Sequence, residues 1–235
     1  MSDGRTLCAS RVIPLTLMSL FATVVAAQTP EFSVQVNSVS FDAQDLDLQD
    51  AGDGRFITVG DTVQESWNFA WALAVSNPTI GGTFSIVNTT MDDQRFDVSF
   101  NLPVEAPLAS TQQSGFLDFT VSDASGDATA TIADFTWVGL IDGSDALALA
   151  TIPSAGCNFA AGCEASFIAE TLSAPGPALT SSIGIDISFV LSAGDRIDFD
   201  TTYEVAAVPL PAGLPMLLGA LGTLGASAVR RRRRC

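Results

Sequence analysis

Apolar and polar residues alternate strictly along four stretches of the chain, and this two-residue period is the strongest constraint on its fold. The stretches cover residues 66–75, 95–102, 117–121 and 183–191. Successive side chains of a β-strand point to opposite faces, so each stretch predicts a strand with one face in a core and one in water. Because antiparallel sheets show this pattern, the alternation favours an antiparallel architecture.

Weaker strand patterns fill the intervals between these stretches. A first strand is predicted from Phe32 to Phe41, with a β-bulge near Asn37–Ser38 because the alternation slips by one residue there. Further strands are predicted at residues 55–59, 83–88, 128–140, 146–152, 166–172 and 196–205. The turn sequences between strands are Asp53-Gly54, Asn77-Pro78, Gly81-Gly82, Asp142-Gly143 and Ala193-Gly194-Asp195. The pattern predicts an all-β fold, an antiparallel two-sheet sandwich that is immunoglobulin-like or jelly-roll-like.

The C-terminal residues, 208–235, have the composition of a membrane segment. Residues 210–229 include no charged side chain, and a helix of that length, at about 1.5 Å per residue, spans the roughly 30 Å hydrocarbon core. The consecutive arginines that follow are Arg230, Arg231, Arg232, Arg233 and Arg234. Such a cluster stays in the cytoplasm, so the tail predicts one transmembrane helix with the preceding chain outside the cytoplasm.

The order of features in this tail resembles a known sorting signal. A pentapeptide comes first, then a Gly/Leu-rich span, then the arginine run; the pentapeptide residues are Val208, Pro209, Leu210, Pro211 and Ala212. This arrangement resembles the C-terminal signal of the PEP-CTERM class in its VPLPA variant, found in Gram-negative bacteria that export polysaccharide. In that class an exosortase, a multi-pass membrane cysteine protease, acts on the proline motif. The resemblance implies cleavage near residues 208–212 and delivery of the body to the cell surface or extracellular matrix.

The N-terminal residues have the features of a secretory signal peptide. Arg5 and Arg11 give a positive n-region, and an apolar stretch from Val12 to Ala27 ends in the small residues Val25-Ala26-Ala27. We expect signal peptidase and the general secretion machinery to act here, so that the mature chain begins near Gln28. The predicted organisation is a signal peptide (1–27), a secreted acidic β-sandwich domain (28–207) and a sorting tail (208–235).

The exported body is strongly acidic. Residues 28–208 hold 25 acidic side chains, three arginines (Arg55, Arg95 and Arg196) and no lysine or histidine, which gives a net charge of about −22. Such a body repels nucleic acid and anionic lipid, so a nucleic-acid partner is not expected. Its many β-branched and aromatic residues distinguish it from a disordered acidic tail.

The residue types present limit the chemistry that the chain can perform. Without histidine or lysine the chain has no Ser-His-Asp triad, no Cys-His pair, no histidine-ligated zinc and no Schiff-base lysine. We therefore predict a non-catalytic protein without catalytic residues. A pair of carboxylates is sufficient for glycoside hydrolysis, which keeps a secreted carboxylate-dependent glycoside hydrolase open as an alternative.

Two cysteines lie within the exported body. Cys157 and Cys163 are separated by five residues, and Gly156 and Gly162 allow a tight loop between them. In an oxidising compartment this spacing predicts a disulfide.

Closely spaced aspartates precede a glycine turn, and the four candidate Ca²⁺ ligands among them are Asp45, Asp47, Asp50 and Asp53. Oxygen ligands at such spacing suit Ca²⁺, although their order does not match an EF-hand loop. A solvated acidic loop is the alternative interpretation, and no other cofactor is predicted.

Two further groups are candidate binding residues. Asp195, Asp198 and Asp200 lie at a predicted strand start, with Asp198 and Asp200 on its outward face; they either bind a cation or lie in solvent. Trp137 lies near a predicted strand end, where an exposed indole would stack on sugar.

These features predict a non-catalytic exported protein of the cell surface or extracellular matrix. It is held at the inner membrane, processed at its C-terminal signal and associated with exopolysaccharide or biofilm. The alternatives are the glycoside hydrolase and a permanently membrane-anchored structural β module.

Overall fold

The computed structural model describes residues 30–42, 49–52, 55–158 and 162–208, and within these ranges it contains β-strands and no helix. In chain order the strands are β1 (Glu31–Val36), β2 (Val39–Asp42), β3 (Gln49–Gly52), β4 (Arg55–Val63), β5 (Trp67–Ser76), β6 (Thr79–Asn88), β7 (Gln94–Pro103), β8 (Thr111–Ser122), β9 (Ala130–Ile141), β10 (Ser144–Cys157), β11 (Glu164–Gly176), β12 (Ser182–Leu191) and β13 (Arg196–Ala207). The predicted signal peptide, residues 1–27, and the predicted transmembrane helix, residues 210–229, lie outside the described residues. No described residue belongs to a helix that is long and apolar enough to cross a membrane.

The strands form two antiparallel sheets that pack face to face. One sheet has six strands in the order β10-β9-β12-β7-β1-β2, and the other has seven in the order β11-β8-β13-β6-β5-β4-β3. Strands β3 to β6 form a meander of hairpins in the seven-stranded sheet, whereas most later connections cross between the sheets. The prediction of an all-β fold with two antiparallel sheets is confirmed.

The four strictly alternating stretches form β5, β7, β8 and β12. In β12 the alternate residues from Ile183 to Leu191 are all at most 3% exposed, while Asp186 and Ser188 lie on the outward face. Strands β7 and β12 pair without a register shift from Ser182↔Pro103 to Leu191↔Gln94. A shift by one residue would turn every buried side chain outward, so the alternation fixes this register.

The predicted bulge at Asn37–Ser38 is wrong, because the phase slip marks a hairpin turn. Strand β1 ends at Val36, β2 begins at Val39, and these two residues pair. Asn37 and Ser38 have positive φ angles of 45° and 72°, as the central residues of a type I′ turn require. Paired residues share a face, so the apolar pattern resumes in phase on the returning strand.

The predicted turn at Gly81-Gly82 is also wrong, because both glycines lie inside β6. A Cβ at Gly82 would lie 2.5 Å from the carbonyl oxygen of Ala72 on β5. Glycine therefore permits close approach of the β5 backbone here. The hairpin turn between β5 and β6 is at Asn77-Pro78, and the predicted turn at Asp142-Gly143 is confirmed between β9 and β10.

The centre of the core is an aromatic cluster that joins the two sheets. Phe119 and Phe199 come from the seven-stranded sheet, and Phe135 and Phe189 come from the six-stranded sheet. The ring centroids of Phe119 and Phe135 are 4.9 Å apart, and those of Phe189 and Phe199 are 5.4 Å apart. Burial of each such ring contributes roughly 1.5–3 kcal/mol, and a well-placed aromatic pair adds about 0.5–1.5 kcal/mol.

Asp142 connects the β9–β10 turn to the segment that leads into β12. Its carboxylate accepts hydrogen bonds from the backbone N–H groups of Thr180, Ser181 and Ser182 and from the hydroxyls of Thr180 and Ser181, at 2.7–3.1 Å. Desolvation raises the pKa of this carboxyl, but the hydrogen bonds outweigh it and hold the pKa well below its ordinary value. Backbone N–H groups and hydroxyls thus stabilise this charge without a basic partner.

Replacing Phe135 by alanine should lower the free energy of unfolding by about 3–5 kcal/mol, because it removes a fully buried ring that contacts both sheets. Urea unfolding of the full-length chain in mild detergent measures this, since all three tryptophans lie within the sandwich and report its unfolding. The matched control is Met91→Ala, at a side chain that is 97% exposed, with an expected change below about 0.5 kcal/mol. A loss below about 1 kcal/mol for Phe135→Ala would contradict the packing described.

Candidate functional site

A trough of about 770 Å³ lies on the outer face of the seven-stranded sheet. It crosses five neighbouring strands, β4, β5, β6, β13 and β8. Its outward side chains are Val59, Asp61, Ala70, Ala72, Thr83, Ser85, Asp118, Thr120, Arg196, Asp198 and Asp200. This surface, called the trough below, is held by strands whose inward side chains lie in the core.

The floor of the trough is low because β5 and β6 place small side chains there. Ala70 pairs with Ser85, and Ala72 pairs with Thr83, across the β5–β6 ladder. Strands β4 and β13 flank this floor at a separation of three ladder spacings, about 14 Å. The floor between these strands presents two hydroxyls, those of Thr83 and Ser85.

Carboxylates line both sides of the floor. Asp61 lies on β4, and Asp198 and Asp200 lie on β13, two residues apart and on the same face. Across the β13–β8 ladder Asp200 pairs directly with Asp118, whereas Asp198 pairs with Thr120. Like charges at directly opposite positions of an antiparallel pair are destabilising, so Asp118 and Asp200 repel one another.

One of these carboxylates has a basic partner among the described residues. Arg196 donates to both carboxylate oxygens of Asp198, with Nε–Oδ2 at 2.8 Å and a terminal nitrogen–Oδ1 distance of 2.6 Å. The hydrogen bond to Asp198 raises the pKa of the Arg196 guanidinium above its ordinary value. No described salt bridge neutralises Asp61, Asp118 or Asp200, so the trough carries net negative charge.

Water reaches every carboxylate of the trough. Asp118 and Asp198 are half-buried, and Asp61 and Asp200 are exposed. A glycosidase needs one carboxyl that is shielded enough to stay protonated at neutral pH. Carboxylates are strong hydrogen-bond acceptors for hydroxyl and ammonium groups, and the trough presents four of them.

The predicted disulfide between Cys157 and Cys163 is confirmed, with a Cα–Cα distance of 5.9 Å. Cys157 ends β10 of the six-stranded sheet, and Cys163 immediately precedes β11 of the seven-stranded sheet, so the bridge closes a crossing loop. The N–H of Gly162 donates to Asp123 at 3.0 Å, and Asp123 donates its own N–H to the carbonyl of Cys163. The hydrogen bond from Gly162 is the main cause that lowers the pKa of Asp123.

The predicted Ca²⁺ ligands fall mostly outside the described residues, where Asp45, Asp47 and Asp53 lie. Asp50 is described and exposed, and its Oδ1 accepts the N–H of Gly52 at 2.8 Å. Across the described ranges, no three His, Cys, Asp or Glu side chains converge to hold a metal ion. The Ca²⁺ site stays a prediction.

The second predicted acidic group is divided by the fold. Asp198 and Asp200 share the outward face of β13, as predicted. Asp195 lies in the β12–β13 turn and is 1% exposed, so it contributes nothing to the trough.

Trp137 is not an exposed platform for sugar. It lies within β9, is 0% exposed, and its Nε1–H donates to Thr201 Oγ1 at 2.8 Å. Its ring meets that of Tyr203 edge to face, with centroids 5.8 Å apart. Burial raises the pKa of Tyr203, whose hydroxyl donates to Gln113 at 2.6 Å. Of the two possibilities, an exposed platform and a buried ring, the structure shows the buried ring, because β9 extends to Ile141 and its inward phase includes position 137.

The sorting motif begins where the described residues end. Val208 follows the last residue of β13 and donates its N–H to the carbonyl of Ser110 at 3.1 Å. The remaining motif residues, 209–212, and the arginine cluster, 230–234, lie outside the described residues.

Asp61 and Asp118 are trough residues that the sequence reasoning missed. The alternation around Leu117 and Phe119 does place Asp118 on an outward face. Its position opposite Asp200 depends on which strands are neighbours, and strand order is not encoded in the period of one strand.

Comparison with known protein-family models finds no match, and comparison with curated proteins finds none either.

Proposed function

We propose that the chain is a non-catalytic, exported surface or matrix protein whose β-sandwich binds exported polysaccharide through the trough. The observation that carries the proposal is the trough itself, in which carboxylates and hydroxyls flank a low floor on paired strands. Strands hold such groups at fixed spacing, which reduces the ordering cost of binding.

Neutral sugars and amino sugars suit the trough, and acidic sugars do not. Sugar hydroxyls donate to carboxylates in charge-assisted hydrogen bonds, which are roughly twice as strong as neutral ones. An ammonium group beside Asp118 and Asp200 would also offset their mutual repulsion. Uronate or sulfated polymers would meet a negatively charged surface and be repelled.

Two observations support export and release. The Cys157–Cys163 disulfide is typical of proteins in an oxidising compartment. Strand β13 ends at Ala207, directly before the motif at residues 208–212, so cleavage there would free the whole sandwich. In this proposal residues 1–27 are a cleaved signal helix, residues 210–229 a temporary transmembrane helix, and an exosortase the processing enzyme.

A glucosamine hexasaccharide should bind the full-length chain in mild detergent more tightly than a glucose hexasaccharide, and a galacturonate hexasaccharide should bind least. The double variant Asp118→Asn/Asp200→Asn should weaken glucosamine binding by about tenfold or more, because it removes two charged acceptors. Isothermal titration calorimetry at about 0.15 M NaCl, where the Debye length is about 8 Å, measures both effects.

The matched control is Asp92→Asn/Asp93→Asn, which removes the same charge at two exposed positions outside the trough. This variant should bind within about twofold of the unmodified chain, since a screened charge at a distance contributes little. If both double variants weakened binding equally, net charge rather than the trough would explain the effect. Unchanged binding by Asp118→Asn/Asp200→Asn would exclude the trough as the site.

The tail should be removed in the host. Intact-mass measurement should give a mature protein that begins near Gln28 and ends within residues 208–212. Replacing Pro209 and Pro211 by alanine should leave the arginine tail attached and keep the protein in the membrane fraction. If the unmodified chain retains residues 230–234, the permanent-anchor alternative is correct.

A further inference from the structure

Three aspartates meet at one end of the sandwich, away from the trough. Asp195 lies in the β12–β13 turn, and Asp123 and Asp127 lie in the connection between β8 and β9. The turn and the connection are in contact, because a Cβ at Gly194 would lie 2.8 Å from the Cβ of Ser125. The backbone carbonyl of Asp195 also accepts the N–H of Asn88 at 2.9 Å, so its turn is joined to the end of β6.

The side chain of Asp195 is buried without a basic partner. It is 1% exposed; Oδ2 is hydrogen-bonded to the hydroxyl of Ser192, and Oδ1 has no hydrogen-bond partner among the described residues. The nearest arginine in sequence, Arg196, is engaged by Asp198 on the outer face of the sheet. An ionised carboxylate in this position would lack most of the hydrogen bonds that a buried charge requires.

A shared metal cation does not relieve this arrangement in the described geometry. Each oxygen of Asp123 accepts two hydrogen bonds, Oδ1 from Ser125 and Gly126 and Oδ2 from Ala128 and Gly162. Oδ1 of Asp127 accepts both the N–H and the hydroxyl of Thr129. Three of the four carboxylate oxygens of Asp123 and Asp127 thus already accept hydrogen bonds.

The charges that act on Asp195 from the neighbouring connection are negative. Asp123 and Asp127 act on it from the β8–β9 connection, and Arg196, at the start of β13, is paired with Asp198. Exposed acidic residues on adjoining segments include Asp92, Asp93, Asp134 and Glu164. This environment therefore favours the uncharged acid more than water does.

We propose that the buried Asp195 carboxyl is protonated in the folded protein at acidic pH, and that its ionisation loosens the contact between the 192–195 turn and the 123–129 connection as the pH rises. This contact extends to the disulfide loop, because Asp123 also holds the backbone beside Cys163. This end of the sandwich is then a pH-sensitive element.

The direction in which pH changes the stability of the fold follows from the shift in the pKa of Asp195. Desolvation is the largest cause and raises the pKa of Asp195 above the ordinary value of 3.8. The charges of Asp127 and Asp123 also raise it, and together these causes outweigh the hydrogen bonds from Ser192 and the backbone of Ala124, which lower it. Its contribution to stability is therefore full below that ordinary value and is lost as the pH rises through the folded-state pKa. Asp142 behaves oppositely: its contribution is present above the ordinary value and is lost as the pH falls.

The test compares Asp195→Asn with the unmodified full-length chain in urea unfolding from about pH 3.5 to about pH 8, followed by tryptophan fluorescence. Asparagine reproduces the shape of the protonated acid. The two urea midpoints should agree near pH 3.5, and the variant should become progressively more stable as the pH rises. The control Asp142→Asn should become progressively less stable than the unmodified chain over the same range.

An independent readout is the titration of the Asp195 carboxyl carbon by NMR in the unmodified full-length chain labelled with ¹³C-aspartate. Ser192→Ala, which removes its hydrogen-bond partner, identifies the resonance and serves if Asp195→Asn does not fold. A midpoint above the ordinary value of 3.8, with coincident shifts of the Ser125 and Gly194 amides, supports the proposal. A midpoint at or below that value, or a pH-independent difference between Asp195→Asn and the unmodified chain, would overturn it.

Discussion

Acidic side chains outnumber basic ones by 25 to three between residues 28 and 208, and the structure depends on where these carboxylates are placed. Cations are too few to neutralise them, so most of the described acidic residues lie on outer faces and turns. Among the described residues only Asp123 and Asp195 are buried acids. Asp123, like Asp142, is stabilised by backbone N–H groups and hydroxyls, which replace the missing basic side chains.

The same imbalance connects the fold to the proposed function. The aromatic contacts between the sheets bury the apolar faces, and the outer faces are left to carry the charge. Where β8 and β13 place two aspartates opposite one another beside a low floor, the surface becomes a region suited to hydroxyl and ammonium groups. Where a carboxyl is enclosed instead, as at Asp195, its protonation state becomes coupled to folding.

The period of the sequence predicted most of the strands, because burial of one face imposes the alternation directly. It could not distinguish a bulge from a type I′ turn at Asn37–Ser38, since both produce the same slip in phase. It misplaced a turn at Gly81-Gly82 because glycine serves both turns and close backbone contacts. The trough was only half predictable: alternation gives the outward face of Asp200, but its pairing with Asp118 depends on strand order.

Apolar packing holds this sandwich together against the repulsion of its own carboxylates. The most direct test is the free energy of unfolding of the full-length chain in urea at neutral pH, measured from about 0.01 M to about 0.5 M NaCl. Added salt shortens the Debye length from about 30 Å to below about 10 Å. We expect stability to rise with added salt as this repulsion is screened. Stability that is unchanged or falls with salt would contradict it.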